Sequence, residues 1–82
     1  MNPYLIRGFG FLYPESTLCL DNGVYSVKAS AGPYCGTIQL NTMKNEIFYG
    51  TLSALYDSFP KQRQVYIDEQ LFAFARSLKK SS

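Results

Sequence analysis

The fold is decided by the stretch Thr17-Leu18-Cys19-Leu20-Asp21-Asn22-Gly23-Val24-Tyr25-Ser26-Val27-Lys28. Two short runs rich in β-forming residues flank Asp21-Asn22-Gly23, a segment that tolerates positive φ angles and suits a tight turn. The pattern predicts an antiparallel hairpin. In its second strand Val24, Ser26 and Lys28 share one face, and Tyr25 and Val27 share the other, which we expect to be the more buried.

The flanking residues extend this hairpin into a meander. Residues 4–13 are mainly aromatic, aliphatic or glycine and end at Pro14-Glu15-Ser16, which predicts a strand that runs into a turn. Beyond the hairpin, Ala31-Gly32-Pro33 breaks the ladder, and residues 36–40 predict a further strand with Ile38 and Leu40 pointing the same way. The sequence therefore predicts three or four antiparallel strands over about residues 4–40.

The hydrophobic period changes from two to three or four after Asn41-Thr42, which predicts a helix over about residues 43–58. Asn41 or Thr42 would cap its first turn, and Pro60 would prevent its continuation. The residues expected on its buried face are Met43, Ile47, Thr51, Leu52, Leu55 and Phe59.

A second helix is predicted over about residues 69–79, because Asp68 followed by Glu69 resembles an N-cap with an acidic first turn. Its core face would contain Leu71, Phe74, Ala75 and Leu78. Residues 64–67 alternate like a short strand. The alternative is one helix over about residues 61–80, since Ile67 extends the same apolar stripe.

The length of 82 residues predicts one small domain, residues 1–82, and the predicted elements make it α+β, with a frayed tail at 81–82. Of its 82 residues, 46% are hydrophobic and 17% charged, which is far from the balance of a disordered chain. The net charge of +2 does not by itself indicate a nucleic-acid or membrane partner.

With no signal peptide and no apolar stretch of about 20 residues, we expect a cytoplasmic protein. Cys19 and Cys35 are then expected to be reduced, buried thiols.

One local motif has a functional interpretation. Arg7-Gly8-Phe9-Gly10-Phe11-Leu12 matches the basic-Gly-aromatic-Gly-aromatic-aliphatic start of the RNA-recognition signature, and with Tyr13-Pro14-Glu15 it also resembles a strand of cold-shock domains. In a single strand, Arg7, Phe9 and Phe11 would share one face, where two rings stack on bases and the guanidinium meets a phosphate. Lys79 and Lys80 would add positive charge.

The remainder of the chain does not continue either resemblance. An RNA-recognition fold has a strand, a helix and a strand before this motif, whereas only six residues precede Arg7, and a cold-shock barrel has an all-β remainder. The favoured interpretation is that Phe9 and Phe11 are core residues of an N-terminal strand, because aromatic rings in strands are usually buried. Gly8 and Gly10 would leave room for a helix or a bulge.

Catalysis is not expected. The chain contains no histidine, which removes Ser-His-Asp and Cys-His mechanisms and histidine-ligated metals. The six acidic residues form no paired motif, no phosphate-binding glycine loop is present, and no cofactor is implied.

The sequence therefore suggests a small non-catalytic regulator that acts by protein–protein interaction, as an inhibitor, adaptor or co-regulator. One such role, of the kind filled by phage or plasmid accessory proteins, is modulation of a DNA-binding repressor or a nucleic-acid enzyme. The expected partner-binding residues are Lys61, Arg63, Tyr66 and Arg76, because Tyr and Arg are enriched in interface hot spots. The alternative is a single-stranded RNA- or DNA-binding module that uses Arg7, Phe9, Phe11, Lys79 and Lys80. An exposed sheet edge would also support a homodimer.

Overall fold

The computed structural model describes residues 3–80, with side chains described through residue 78. Five antiparallel strands lie side by side in chain order: β1 (Tyr4–Ile6), β2 (Gly10–Asp21), β3 (Val24–Ala31), β4 (Tyr34–Asn41) and β5 (Glu46–Phe48). A 3₁₀ turn (Gly50–Leu52), a short helix α1 (Ser53–Asp57) and a long helix α2 (Lys61–Lys80) follow. The predicted α+β fold with an N-terminal meander is confirmed. The predicted tail, residues 81–82, lies outside the described residues.

The predicted central hairpin is formed by β2 and β3, where Asp21 pairs with Val24 and Gly23 takes a φ of +78°. On the inner face of the sheet, which packs against α2, Val27 and Ile38 are opposite each other and both are completely buried. Leu40 points the same way as Ile38, as the sequence predicts, and it is also buried. Removing these branched side chains from water stabilises the packing of the sheet on the helix.

The predicted helix over 43–58 is wrong for its first half. Asn41 Oδ1 does accept bonds from the amides of Met43 (3.2 Å) and Lys44 (3.1 Å), but they close a turn, in which Asn45 has a φ of +53°. The chain then returns as β5, consistent with the β-branched and aromatic residues Ile47 and Phe48. Helical structure starts only at Gly50, and Met43 is 71% exposed instead of buried.

The second predicted helix is longer than 69–79, and the alternative of one helix over residues 61–80 is confirmed. The proposed strand over 64–67 is wrong, because the amide of Gln64 already donates to the carbonyl of Pro60 in the first turn of α2. Ile67, Leu71 and Phe74 follow one helical face and are buried against the sheet, which favours the helix over local alternation.

One glycine and two alanines on the inner face allow the helical segments to approach the sheet. Gly36 in β4 faces the 3₁₀ turn, where a Cβ would overlap Thr51 Oγ1. Leu52, at the end of this turn, is completely buried in the core. Ala29 and Ala31 on β3 are also buried on the inner face.

Cys19 and Cys35 are free thiols, but both are exposed, so the expectation of buried cysteines is wrong.

Among residues 3–80, neither helix has the length and apolar character needed to cross a bilayer.

Candidate interaction surfaces

The outer face of the sheet, opposite α2, has no other element packed on it in residues 3–80. Cross-strand pairing places Leu5 beside Phe11 on this face, and Tyr13 beside Lys28. Leu18 pairs with Ser26 of β3 beyond a bulge in β2. Phe48 of β5 lies two strands beyond Ser26 on the same face, because both residues pair with Gln39 of β4. The five large apolar residues of this face are between 41% and 63% exposed: Leu5, Phe11, Tyr13, Leu18 and Phe48. We call these five side chains the outer-face residues.

The middle of the outer face is polar but almost uncharged. Ser30, Cys35, Thr37 and Gln39 occupy outward positions on β3 and β4, and Tyr13 is fixed by a 2.9 Å hydrogen bond between its hydroxyl and Ser30 Oγ. Lys28 is the one basic residue at an outward position of the strands in the described chain. The outer face therefore has a weakly charged polar centre bordered by exposed apolar side chains, and depletion of charge is typical of the centre of a protein-binding surface.

The structure divides the Arg7–Phe11 motif between two environments. Residues 7–9 form the turn between β1 and β2, with Gly8 at a φ of +80°, so the three side chains do not alternate along one strand. Phe9 packs into the core, with its ring centroid 5.8 Å from that of Tyr49. Phe11 is 42% exposed on the outer face. The core interpretation is therefore right for Phe9 and wrong for Phe11, and the shared stacking face of Arg7, Phe9 and Phe11 is absent.

A second surface feature lies where β5, the 3₁₀ turn and α1 meet α2. Tyr49 donates a 2.6 Å hydrogen bond to Asp68 Oδ1, and the hydroxyl of Tyr56 lies 2.9 Å from both carboxylate oxygens. The two tyrosine rings stack with their centroids 3.9 Å apart. They line an open groove of about 560 Å³. We call it the Asp68 groove; its other walls include Phe48, Asp57 and Phe72.

The electrostatics of the Asp68 groove are negative. Burial and the adjacent Asp68 carboxylate raise the pKa of Tyr49 well above its ordinary value of 10.0. Burial, Asp68 and, more weakly, Asp57 raise the pKa of Tyr56 to about 12. Both hydroxyls therefore remain protonated donors at neutral pH. No ion pair with Asp57 or Asp68 is formed by the side chains of residues 3–78.

The four predicted partner-binding residues of α2 do not form one cluster. Arg63 donates from Nε to the carbonyl oxygen of Gly8 (2.7 Å), and its guanidinium lies 4.0 Å from the centre of the Phe59 ring. It therefore fastens the β1–β2 turn to α2. Tyr66 and Arg76 line a shallow depression on the solvent side of α2, and Lys61 is exposed at its first residue. The side chains of Lys79 and Lys80 are outside the described part of the chain.

Sequence reasoning missed both surfaces described above. The outward positions of β1 and β2 can be recognised only when it is known which sheet face the helix covers. The Asp68 groove depends on a contact between Tyr49 and Asp68, which are 19 residues apart in sequence. The sequence feature that could have indicated the groove is a charged residue, Asp68, beside the apolar stripe of α2.

Fold and surface together define a small α+β protein with one helix-covered and one open sheet face, and with an acidic aromatic groove at one end. Among residues 3–80, no group of three or more cysteine or acidic side chains is placed to hold a metal ion. Comparison with protein-family models, with curated proteins and with solved structures finds no match for this chain.

Proposed function

We propose that this protein is a non-catalytic regulator that binds another protein through the outer face of its sheet. The observation that supports this most directly is the presence of five large apolar side chains, each at least 41% exposed, on a face that no other element of residues 3–80 covers. Removing such side chains from water upon association is favourable by about 25 cal/mol per Å² of apolar surface.

A protein partner fits this face better than a nucleic acid does. Single-strand-binding surfaces combine stacked rings with several cations along the backbone path. Here Phe11 and Tyr13 are exposed and available for stacking. Lys28 is the one basic residue on the outer face of the described strands. The revised nucleic-acid alternative would therefore use Phe11, Tyr13 and Lys28, and it would lack most of the required charge.

The partner we propose is a cytoplasmic protein, for example a repressor or an enzyme that itself acts on nucleic acid. In that arrangement the small protein changes the activity of its partner by occupying a surface, as an inhibitor, adaptor or co-regulator. The role suits a chain of 82 residues, because binding requires a patch and not a deep active site.

The test replaces Phe11 and Leu18 with threonine, a residue that keeps the β-propensity of the strand while removing apolar surface. The control is Val65→Thr, at an exposed position of α2. Each tagged protein is used to capture partners from nuclease-treated lysate of the native host, and the captured protein is then purified and titrated by calorimetry. We expect the Phe11→Thr/Leu18→Thr variant to bind at least tenfold more weakly than the wild type and the control to bind normally.

Two results would contradict the proposal. One is equal affinity of the purified partner for wild type and outer-face variant. The other is salt-sensitive binding of labelled single-stranded oligonucleotides, measured by fluorescence anisotropy, that is lost in the same variant; this would identify the outer face as a nucleic-acid surface.

A further inference from the structure

We propose that the Asp68 groove is a binding site for an arginine side chain of the partner protein. This inference depends on the proposed function for the source of the side chain. The groove shares Phe48 with the outer face, but Phe11 and Leu18 do not line it, so the two proposals can be tested separately. It follows from three properties of the groove: its aromatic walls, its carboxylates and its uncompensated negative charge.

The aromatic walls can accept a flat cation. Phe48 is 63% exposed and Phe72 is partly buried, and neither ring contacts another aromatic ring in the described residues. A guanidinium stacks on such a ring through its planar face, which an ammonium does not do as well. The chain itself uses this contact elsewhere, where Arg63 lies over Phe59.

The carboxylates supply the charge and the hydrogen-bond acceptors. Asp68 accepts bonds from Tyr49 and Tyr56, which holds the carboxylate in one orientation. A carboxylate has about four lone-pair directions, so two hydroxyl donors leave acceptor capacity for an incoming N–H group. Asp57 is exposed on the same groove and has no hydrogen-bond or ion-pair partner among residues 3–78.

Charge complementarity determines the occupant. Two carboxylates line one groove and no cation of the described side chains neutralises either of them. The groove therefore attracts a cation, repels an anion and gives a neutral ligand no comparable gain. Arginine combines a planar face for the rings with a fork of donors that fits carboxylates, and it is among the residues enriched in protein interfaces.

The experiment titrates the ¹⁵N-labelled full chain with acetyl-Gly-Arg-Gly-amide at about physiological ionic strength and follows amide shifts by NMR. The matched probe contains citrulline, which has the size and shape of arginine without its charge. We expect saturable shifts confined to residues 45–57 and 68–72, with a dissociation constant on the order of millimolar for a single side chain. The citrulline peptide should bind at least tenfold more weakly.

Two substitutions locate the interaction. Asp57→Asn removes one groove carboxylate without touching the bonds between Asp68 and the tyrosines, and it should weaken binding about tenfold. Glu69→Gln makes the same charge change on α2 at an exposed residue that does not line the groove, and it should leave binding unchanged. A Phe72→Leu variant, which keeps an apolar wall but removes the ring, should bind more weakly than wild type.

Several outcomes would overturn the inference. Equal shifts with the arginine and citrulline peptides would show that charge is not recognised. Equal weakening by Asp57→Asn and Glu69→Gln would show a diffuse electrostatic attraction instead of a site. The Phe11→Thr/Leu18→Thr variant should titrate like wild type, so failure of the outer-face proposal and failure of the groove proposal give different results.

Discussion

Asp68, in the second turn of α2, accepts a 2.6 Å hydrogen bond from the hydroxyl of Tyr49, the residue that follows β5. This contact joins the last strand of the sheet to the long helix across 19 residues of sequence. The Tyr49 side chain is 6% exposed, so a bond from its hydroxyl to a carboxylate is protected from competition with water.

Tyr49→Phe should lower the free energy of unfolding by about 1.5–3 kcal/mol, because it removes a charge-assisted hydrogen bond in a partly buried site. The ring remains, so its packing on Phe9 and Tyr56 is retained. The matched control is Tyr66→Phe, at a tyrosine that is 46% exposed and outside the core, which should change stability by less than about 0.5 kcal/mol. Urea denaturation followed by far-UV circular dichroism measures both. Equal effects of the two substitutions would contradict a special role for the bond to Asp68.

The same site should make stability fall at alkaline pH. The pKa of Tyr56 is raised to about 12 in the folded chain, and that of Tyr49 is raised further, against a reference value of 10.0 for tyrosine. A raised pKa means that the folded state retains protons that the unfolded state releases, so this contribution is complete below about pH 10 and is lost as the pH rises through the folded-state pKa values.

The stability advantage of wild type over Tyr49→Phe/Tyr56→Phe should therefore shrink between pH 9 and 12. Denaturation curves at each pH give the difference, and absorbance at 295 nm reports tyrosine ionisation directly. An advantage that is constant or grows with pH would show that the two hydroxyls do not retain their protons in the folded state.

Much of the fold could be predicted because it depends on local patterns. Asp21-Asn22-Gly23 marks the hairpin, and the spacing of Ile67, Leu71 and Phe74 marks the core face of α2. The stretch after Asn41 is ambiguous in sequence, because Ile47 fits a helical period as well as a strand, and only its pairing with Leu40 decides between them. The surfaces could not be predicted, since the exposure of Phe11 and the meeting of Tyr49 with Asp68 depend on where α2 packs.

A further contact fixes the β1–β2 turn to the helix. The side chain of Gln70 accepts a 2.7 Å hydrogen bond at Oε1 from the backbone amide of Arg7. It donates a 2.8 Å hydrogen bond from Nε2 to the backbone carbonyl oxygen of Arg7. Gln70→Ala should therefore increase hydrogen exchange at the Arg7 amide while exchange at Val27, in the centre of the sheet, stays slow. Gln70→Glu keeps an acceptor but loses the donor, so it should give intermediate protection. Unchanged exchange at Arg7 in Gln70→Ala would show that the side chain does not hold this turn.

The approach of the 3₁₀ turn to β4 can be tested by a double-mutant cycle. Gly36→Ala places a methyl group where Thr51 Oγ1 now lies, and it should destabilise the fold by about 1–3 kcal/mol through overpacking. Thr51→Ala alone loses the 3.2 Å bond from Oγ1 to the carbonyl of Cys35, at a cost of about 0.5–1.5 kcal/mol.

In the double variant the overlapping oxygen is gone, so most of the Gly36→Ala penalty should disappear, and the coupling energy should exceed about 1 kcal/mol in the favourable direction. Gly32→Ala serves as control: no atom lies within 4 Å of its added Cβ, so it pays only the backbone cost of its +60° φ, and Thr51→Ala should not rescue it. Additive effects of Gly36→Ala and Thr51→Ala would mean that the 3₁₀ turn does not rest on Gly36.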